Sequence, residues 1–184
     1  MSTEKKETLD NFIQKGEKLS DNLVKGFYNE SLVKKIESLD FMKSLIGSSF
    51  LQAIQSFGKG WFKQVFIFFG YLAIIFGILG ALMQIFSIFN SFVYIKWLLF
   101  DILSIGMSLL VIIIGFGMIR FKTWYPFIVI ISFFYQIIFS IFSSLYASIY
   151  YYPLSSLIGY IIISCLFFIV GFALILKNKE LFHN

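Results

Sequence analysis

Ionisable and nucleophilic side chains are scarce in the last two thirds of this 184-residue chain, and that scarcity limits its chemistry. Asp101 is the one acid inside the long apolar runs. The only histidine, His183, sits in the C-terminal tail, and the only cysteine, Cys165, has no histidine near it. General acid–base catalysis and metal ligation need titratable groups that converge. No second acid accompanies Asp101, and the glycines of the first apolar run lack the Lys-Ser or Lys-Thr that follows in a phosphate loop. The sequence therefore argues against an enzyme and calls for no metal or other cofactor. What remains is a set of hydrogen-bonding side chains: Gln84, Asp101, Ser104, Ser108, Ser132, Gln136, Ser140 and Ser143. The last four stand in "SFFYQIIFSIFSS", residues 132–144, a stretch made mostly of Phe and Ile.

Their spacing puts them on stripes. At about 100° per residue, Ser132, Gln136, Ser140, Ser143 and Ala147 share an arc of about 80°. Asp101, Ser104, Ser108 and Gly115 share about 60°, and Gly70, Ala73, Gly77, Gly80, Ala81 and Gln84 share about 100°. Two chemistries fit such stripes. Lipid is as apolar as leucine, so membrane helices join by close backbone approach at small residues and by hydrogen bonds worth roughly 0.6–2 kcal/mol each. Gly70 and the ridge Ala73, Gly77 and Ala81 suit that packing. The other chemistry is a polar pathway, because an ionisable residue inside a membrane is a functional candidate by default. Asp101, however, lies four residues past Trp97 and near its helix start, where a negative charge is favoured. Packing is therefore the preferred reading, and it predicts that the stripes face one another while Phe and Ile face lipid.

The elements that position these residues follow from hydropathy. Of the chain, 59% is hydrophobic and only 14% charged, against about a quarter charged in average globular domains. A helix needs about 20 apolar residues to cross ~30 Å of hydrocarbon. Four stretches qualify, at about 64–89, 97–119, 124–148 and 154–176. Lipid offers no partner to open backbone, so each is a helix. Pro126 and Pro153 fall at the starts of the third and fourth, where a missing N–H costs least. The expected fold is all-α, an integral membrane four-helix transmembrane bundle over residues 61–184. No signal peptide is visible, so the first span would itself direct insertion. Lys59, Lys63, Arg120, Lys122, Lys177 and Lys179 fall on one side and Lys96 alone on the other. The excess of bases predicts cytoplasmic N- and C-termini. Trp61 and Trp124 would mark the inner interface; Tyr94, Trp97 and Tyr150 to Tyr152 would mark the outer.

Residues 1–60 differ in kind. They hold nine lysines and eight acids, too balanced for a nucleic-acid-binding patch. Residues 1–40 read as a cytoplasmic amphipathic region, with Leu9, Phe12, Ile13, Leu19, Leu23, Phe27 and Tyr28 at helical spacing and charges of alternating sign on a solvated face. Within residues 41–60, Met42, Leu45, Ile46, Phe50, Ala53, Ile54 and Phe57 form one apolar face opposite Ser and Gln. That pattern suits one helix lying in the headgroup plane, with Asp40 as its N-cap and Gly58/Gly60 as its break.

Spans two and four end alike, "GFGMIRFK" and "GFALILKN", as inner ends of membrane helices commonly do. The stretch Gly115-Phe-Gly117-Met-Ile-Arg120-Phe-Lys122-Thr-Trp124 resembles one found in small bacterial four-span membrane proteins of unknown function, and the ending Leu176 to Phe182 is similar too. The resemblance covers about half the chain. Tyr125-Pro126 departs from the Ala-Arg such proteins often carry, and the N-terminal third lies outside the likeness. It implies fold and topology only. The expected partners are the lipid bilayer and, through residues 1–60, another protein or a second copy. The expected role is a membrane scaffold or interaction subunit, and the alternative is a small transporter or pore component.

Overall fold

Every described part of the chain that carries an apolar periodicity is helical. The computed structural model describes residues 3–56, 58–91, 95–148 and 154–182. Expectations placed on Phe57, Tyr94, Tyr150 to Tyr152, Pro153 and His183, and on the side chains of Leu9, Lys59, Lys96, Trp97 and Ala147, fall outside the described residues. Eight α-helices follow in order: α1 (Thr3–Lys25), α2 (Glu30–Glu37), α3 (Asp40–Ile46), α4 (Ser49–Gln55), α5 (Lys59–Ser91), α6 (Ile95–Arg120), α7 (Tyr125–Ser148) and α8 (Leu154–Lys177). A 3-10 turn over Lys179–Leu181 follows.

Among the described residues three runs are long and apolar enough to cross a membrane: Gly60–Phe89, Leu98–Arg120 and Tyr125–Ser143. Among the described residues α8 contributes a further apolar stretch, Ile161–Lys177. Large side chains point outward along these helices; Phe76, Phe86, Phe89 and Phe167 are each 64% exposed or more. That is the surface hydrocarbon would cover.

Helices α5 and α6 form a close antiparallel pair, and α6 packs on α7 and α7 on α8. The turn from α6 to α7 is tight. Phe121 adopts a left-handed conformation, φ 51°, and the Lys122 N–H reaches back to the Gly117 carbonyl at 3.2 Å, the six-to-one bond of a Schellman cap. A bulky residue pays about 1–2 kcal/mol for that backbone. Phe121 is held there by burial with Trp124, Tyr125 and Phe182.

The buried core gathers at the end of the bundle that carries Arg120, Lys122, Lys177 and Lys179, here called the basic end. The N-terminal helices supply much of it. Ile13 of α1 packs with Ile74 and Phe116. Val24 packs with Phe121, Trp124, Tyr125, Phe127 and Ile128. Met42 of α3 and Leu51 of α4 pack with Ile130, Phe172, Ala173 and Leu176. In element terms α1 lies on α6, α2 on α7 and α3 on α8.

Residues 41–57, expected as one helix, form two short ones. Leu39, not Asp40, is the N-cap of the first, and Asp40 takes its first turn. Gly47 ends it; Ser48 then caps α4 by accepting from the Leu51 N–H at 3.4 Å. The break turns both Met42 and Leu51 into the same apolar cluster, which one straight helix of this sequence does not do. Gly58, at φ +89°, makes the expected turn ahead of α5.

Candidate functional site

The polar stripe residues lie in two places. On the first, the α5–α6 seam, contacts step down one helix as they step up the other: Gly70 meets Gly115, Gly77 meets Ser108 and Ile112, and Ser87 meets Asp101. The approach is backbone to backbone. A Cβ added at Gly115 would stand 2.7 Å from the Gly70 carbonyl oxygen, and one at Gly77 2.9 Å from that of Ser108. Gly70 and Gly77 are buried; Ala73, Ala81 and Gln84 flank them half-buried. Close approach at small residues is how helices associate without a hydrophobic force between them.

At the far end of this seam Asp101 is buried, 4% exposed. The Ser87 hydroxyl donates toward both carboxylate oxygens at 3.1 Å. Ser87 escaped the sequence reading, although it lies three residues past Gln84 on the same helix and could have been found by extending the stripe one turn. Ser104, also buried, donates to the Phe100 carbonyl at 2.9 Å, and Ser108 to the Ser104 carbonyl at 3.2 Å. These hydroxyls satisfy themselves on their own helix.

The second place is α7. Ser132 donates to the Val129 carbonyl at 2.9 Å and Ser140 to the Gln136 carbonyl at 2.7 Å; Ser143 is half-buried. Gln136 and Ser132 line a groove of about 470 Å³ between α7 and α8, with Ser164, Phe133, Phe167 and Phe168. The bond that ties α7 to α6 comes from a residue outside the expected set. The Tyr135 hydroxyl donates to the Leu103 carbonyl at 2.7 Å, directly over Gly106, where a Cβ would collide with the phenol oxygen at 2.5 Å.

The densest charge arrangement is at the basic end, where α1 meets the α6–α7 turn. Glu17 accepts from Arg120 Nε at 3.1 Å and from Lys122 Nζ at 2.7 Å. Asp21 accepts from Lys122 Nζ at 2.9 Å and from the Trp124 indole N–H at 2.7 Å. Burial opposes the Lys122 charge, but the two carboxylates outweigh it and raise the ammonium above its ordinary pKa. Gly16 permits the approach, because a Cβ there would overlap the Phe116 ring at 2.0 Å. Lys179 and Glu37 form a further, more exposed pair joining α2 to the turn after α8. The sequence offered a signal for this clamp, two acids four residues apart beside an apolar face. Their partners lie about a hundred residues away, and alternation of sign along α1 made the acids look solvated.

Among the described residues no group of three His, Cys, Asp or Glu side chains is placed to hold a metal ion. The described residues define a class, an all-α protein, and among them three helices are long and apolar enough to span a membrane. No protein-family model, curated protein or solved structure matches the chain, so the reading of its role rests on its own geometry.

Proposed function

We propose that this chain is a non-enzymatic, multi-pass membrane scaffold or interaction subunit. In this reading α8 is a fourth span beside α5, α6 and α7, and the basic end, with both termini, faces the cytoplasm. Residues 1–60 form a helical platform fixed to that end, and its water-facing side engages a protein partner or a second copy. The observation that carries the reading is the Glu17–Asp21 clamp on Arg120, Lys122 and Trp124. Five charged or polar groups converge there to hold α1 against the basic end. Such investment fits a surface that must be presented in one orientation.

A transporter or pore component is the second reading, favoured by one observation: Asp101, a carboxylate buried within a span, has Ser87 as its partner among the described residues. Against it, Ser104, Ser108, Ser132 and Ser140 bond the backbone of their own helices, as suits a dry bundle.

The two readings separate in one experiment on the full chain in native membranes. The scaffold reading expects the Glu17→Gln/Asp21→Asn double variant to lose a co-purifying partner or its self-association, with Asp101→Asn retaining it. The transport reading expects Asp101→Asn to abolish solute flux in reconstituted vesicles and the clamp variant to keep it. Retention of association by the clamp variant overturns the scaffold reading.

A further inference from the structure

We propose that α1 is an in-plane membrane helix, with Phe12, Leu19 and Leu23 buried in the lipid of the leaflet at the basic end. The proposal rests on the membrane reading above and adds a surface that reading does not assign. Around α1 the side chains sort into three faces. Gly16, Ser20, Ile13, Val24, Glu17 and Asp21 turn toward the bundle within an arc of about 140°, where Ile13, Ser20 and Val24 are buried. Lys15, Lys18, Asn22 and Lys25 occupy a second arc of about 80° and are exposed. Between the two, within about 40°, run Phe12, Leu19 and Leu23, exposed by 49%, 62% and 51%. A helix lying in water beside a protein needs two faces. A third, apolar face flanked by lysines is the pattern of a helix at a lipid interface.

The depth of α1 says which surface meets that face. Ile13 shares a buried cluster with Phe116 and Ile74, and the Phe12 and Phe116 rings lie 6.3 Å apart. Phe116 precedes Arg120 by four residues, or about 6 Å of helix, and Ile74 follows Lys63 by eleven, or about 16 Å. This stretch of α1 is therefore level with the apolar runs and not beyond their end. Farther along, Glu17 and Asp21 bind Arg120, Lys122 and Trp124, the residue types that mark a membrane–water interface. Glu7 and Asp10, both exposed, oppose deeper burial of the first turns of α1, because charge inside hydrocarbon is costly. The helix thus lies obliquely along the interface, docked on one side, with its apolar stripe toward acyl chains and its lysines toward headgroups and water.

The test uses the full chain carrying Cys165→Ser, with one cysteine introduced at Leu19, Leu23, Lys18 or Leu109 and labelled with an environment-sensitive fluorophore. Each is reconstituted in vesicles of phosphatidylcholine and phosphatidylglycerol. Quenching by shallow spin-labelled lipid is compared with quenching by aqueous iodide. Leu109, exposed midway along α6, reports the membrane reading itself. The proposal expects lipid quenching at Leu19 and Leu23 at least about twofold stronger than at Lys18, with iodide quenching weaker. Iodide access at Leu19 equal to that at Lys18 places the stripe in water and overturns it. Shielding of Leu19 from both quenchers means that protein, such as a second copy, covers the stripe, and overturns it too. A Leu109 probe that lipid fails to quench overturns the membrane reading and this inference with it; a quenched Leu109 beside an unquenched Leu19 overturns this inference alone.

Discussion

Replacing glycines one at a time by alanine along α5, α6 and α8 asks whether backbone contact holds the bundle. At Gly115 the new methyl would stand 2.7 Å from the Gly70 carbonyl oxygen and at Gly77 2.9 Å from that of Ser108, where ordinary contact begins at 3.4 Å. Carbonyls in a helix cannot swing aside, so α5 and α6 must part by about 0.7 Å and 0.5 Å, and gaps of that size forfeit a quarter to a half of each contact along the seam. Overpacking of this kind costs about 1–3 kcal/mol. Alanine returns about 1 kcal/mol of helix propensity, which leaves Gly77→Ala and Gly115→Ala destabilised by up to about 2 kcal/mol. Two substitutions serve as internal controls. At Gly171 an added methyl meets nothing within 4 Å, so Gly171→Ala is neutral or stabilising by up to about 1 kcal/mol. At Gly80 it meets the Ser108 hydroxyl at 2.8 Å, a flexible group that rotates away, so the effect falls between. Reversible unfolding of the purified chain in mixed detergent micelles, followed by far-UV circular dichroism, gives the order. A Gly115→Ala protein as stable as Gly171→Ala refutes the close-packed seam.

Other outcomes follow from the two charged sites. Asp21→Asn alone leaves Lys122 its Glu17 partner and Trp124 an acceptor, so it loosens α1 mildly. Adding Glu17→Gln removes both carboxylates from a partly buried ammonium and costs about 1–3 kcal/mol, read as faster proteolysis between α1 and α2. Arg120 is more exposed, so Arg120→Gln changes little. The Lys122 pKa is raised in the folded protein, so its contribution is complete below the ordinary value of 10.5 and disappears as pH climbs through the raised one. Near-UV circular dichroism of a Trp61→Phe/Trp97→Phe variant, in which Trp124 is the remaining tryptophan, should hold constant from neutral pH to about 10 and change above it. Ser87→Ala strips the donor from buried Asp101 and costs about 1–3 kcal/mol, while Asp101→Asn in the same background restores stability; calorimetry in detergent distinguishes the two.

Much of the helical content was legible in the residues alone. Apolar runs of spanning length have no alternative to the helix where backbone groups lack water, so α5, α6 and α7 could be delimited within a few residues. Pro126 in the first turn of α7 and Gly58 before α5 acted through their own backbone chemistry, which needs no neighbours. The small-residue stripe of α5 and α6 could likewise be placed on one face, because periodicity is local. Which members of that stripe touch was a different matter. Gly70 with Gly115, and Ser87 with Asp101, depend on the register of two helices, and register is an interhelical quantity that one helix's period does not contain. The division of the polar residues between the α5–α6 seam and the α7–α8 groove is tertiary for the same reason. So is the left-handed Phe121, a conformation that costs energy locally and persists because aromatic rings distant in sequence, Phe66 and Phe182, pack on it. Local pattern showed that α1 is amphipathic, but it read the charges of that helix as a solvated face. Only the folded chain brought Lys122 and Trp124 to Glu17 and Asp21, since an ion pair across a hundred residues leaves no trace in spacing and is decided by where the helices that carry it come to rest.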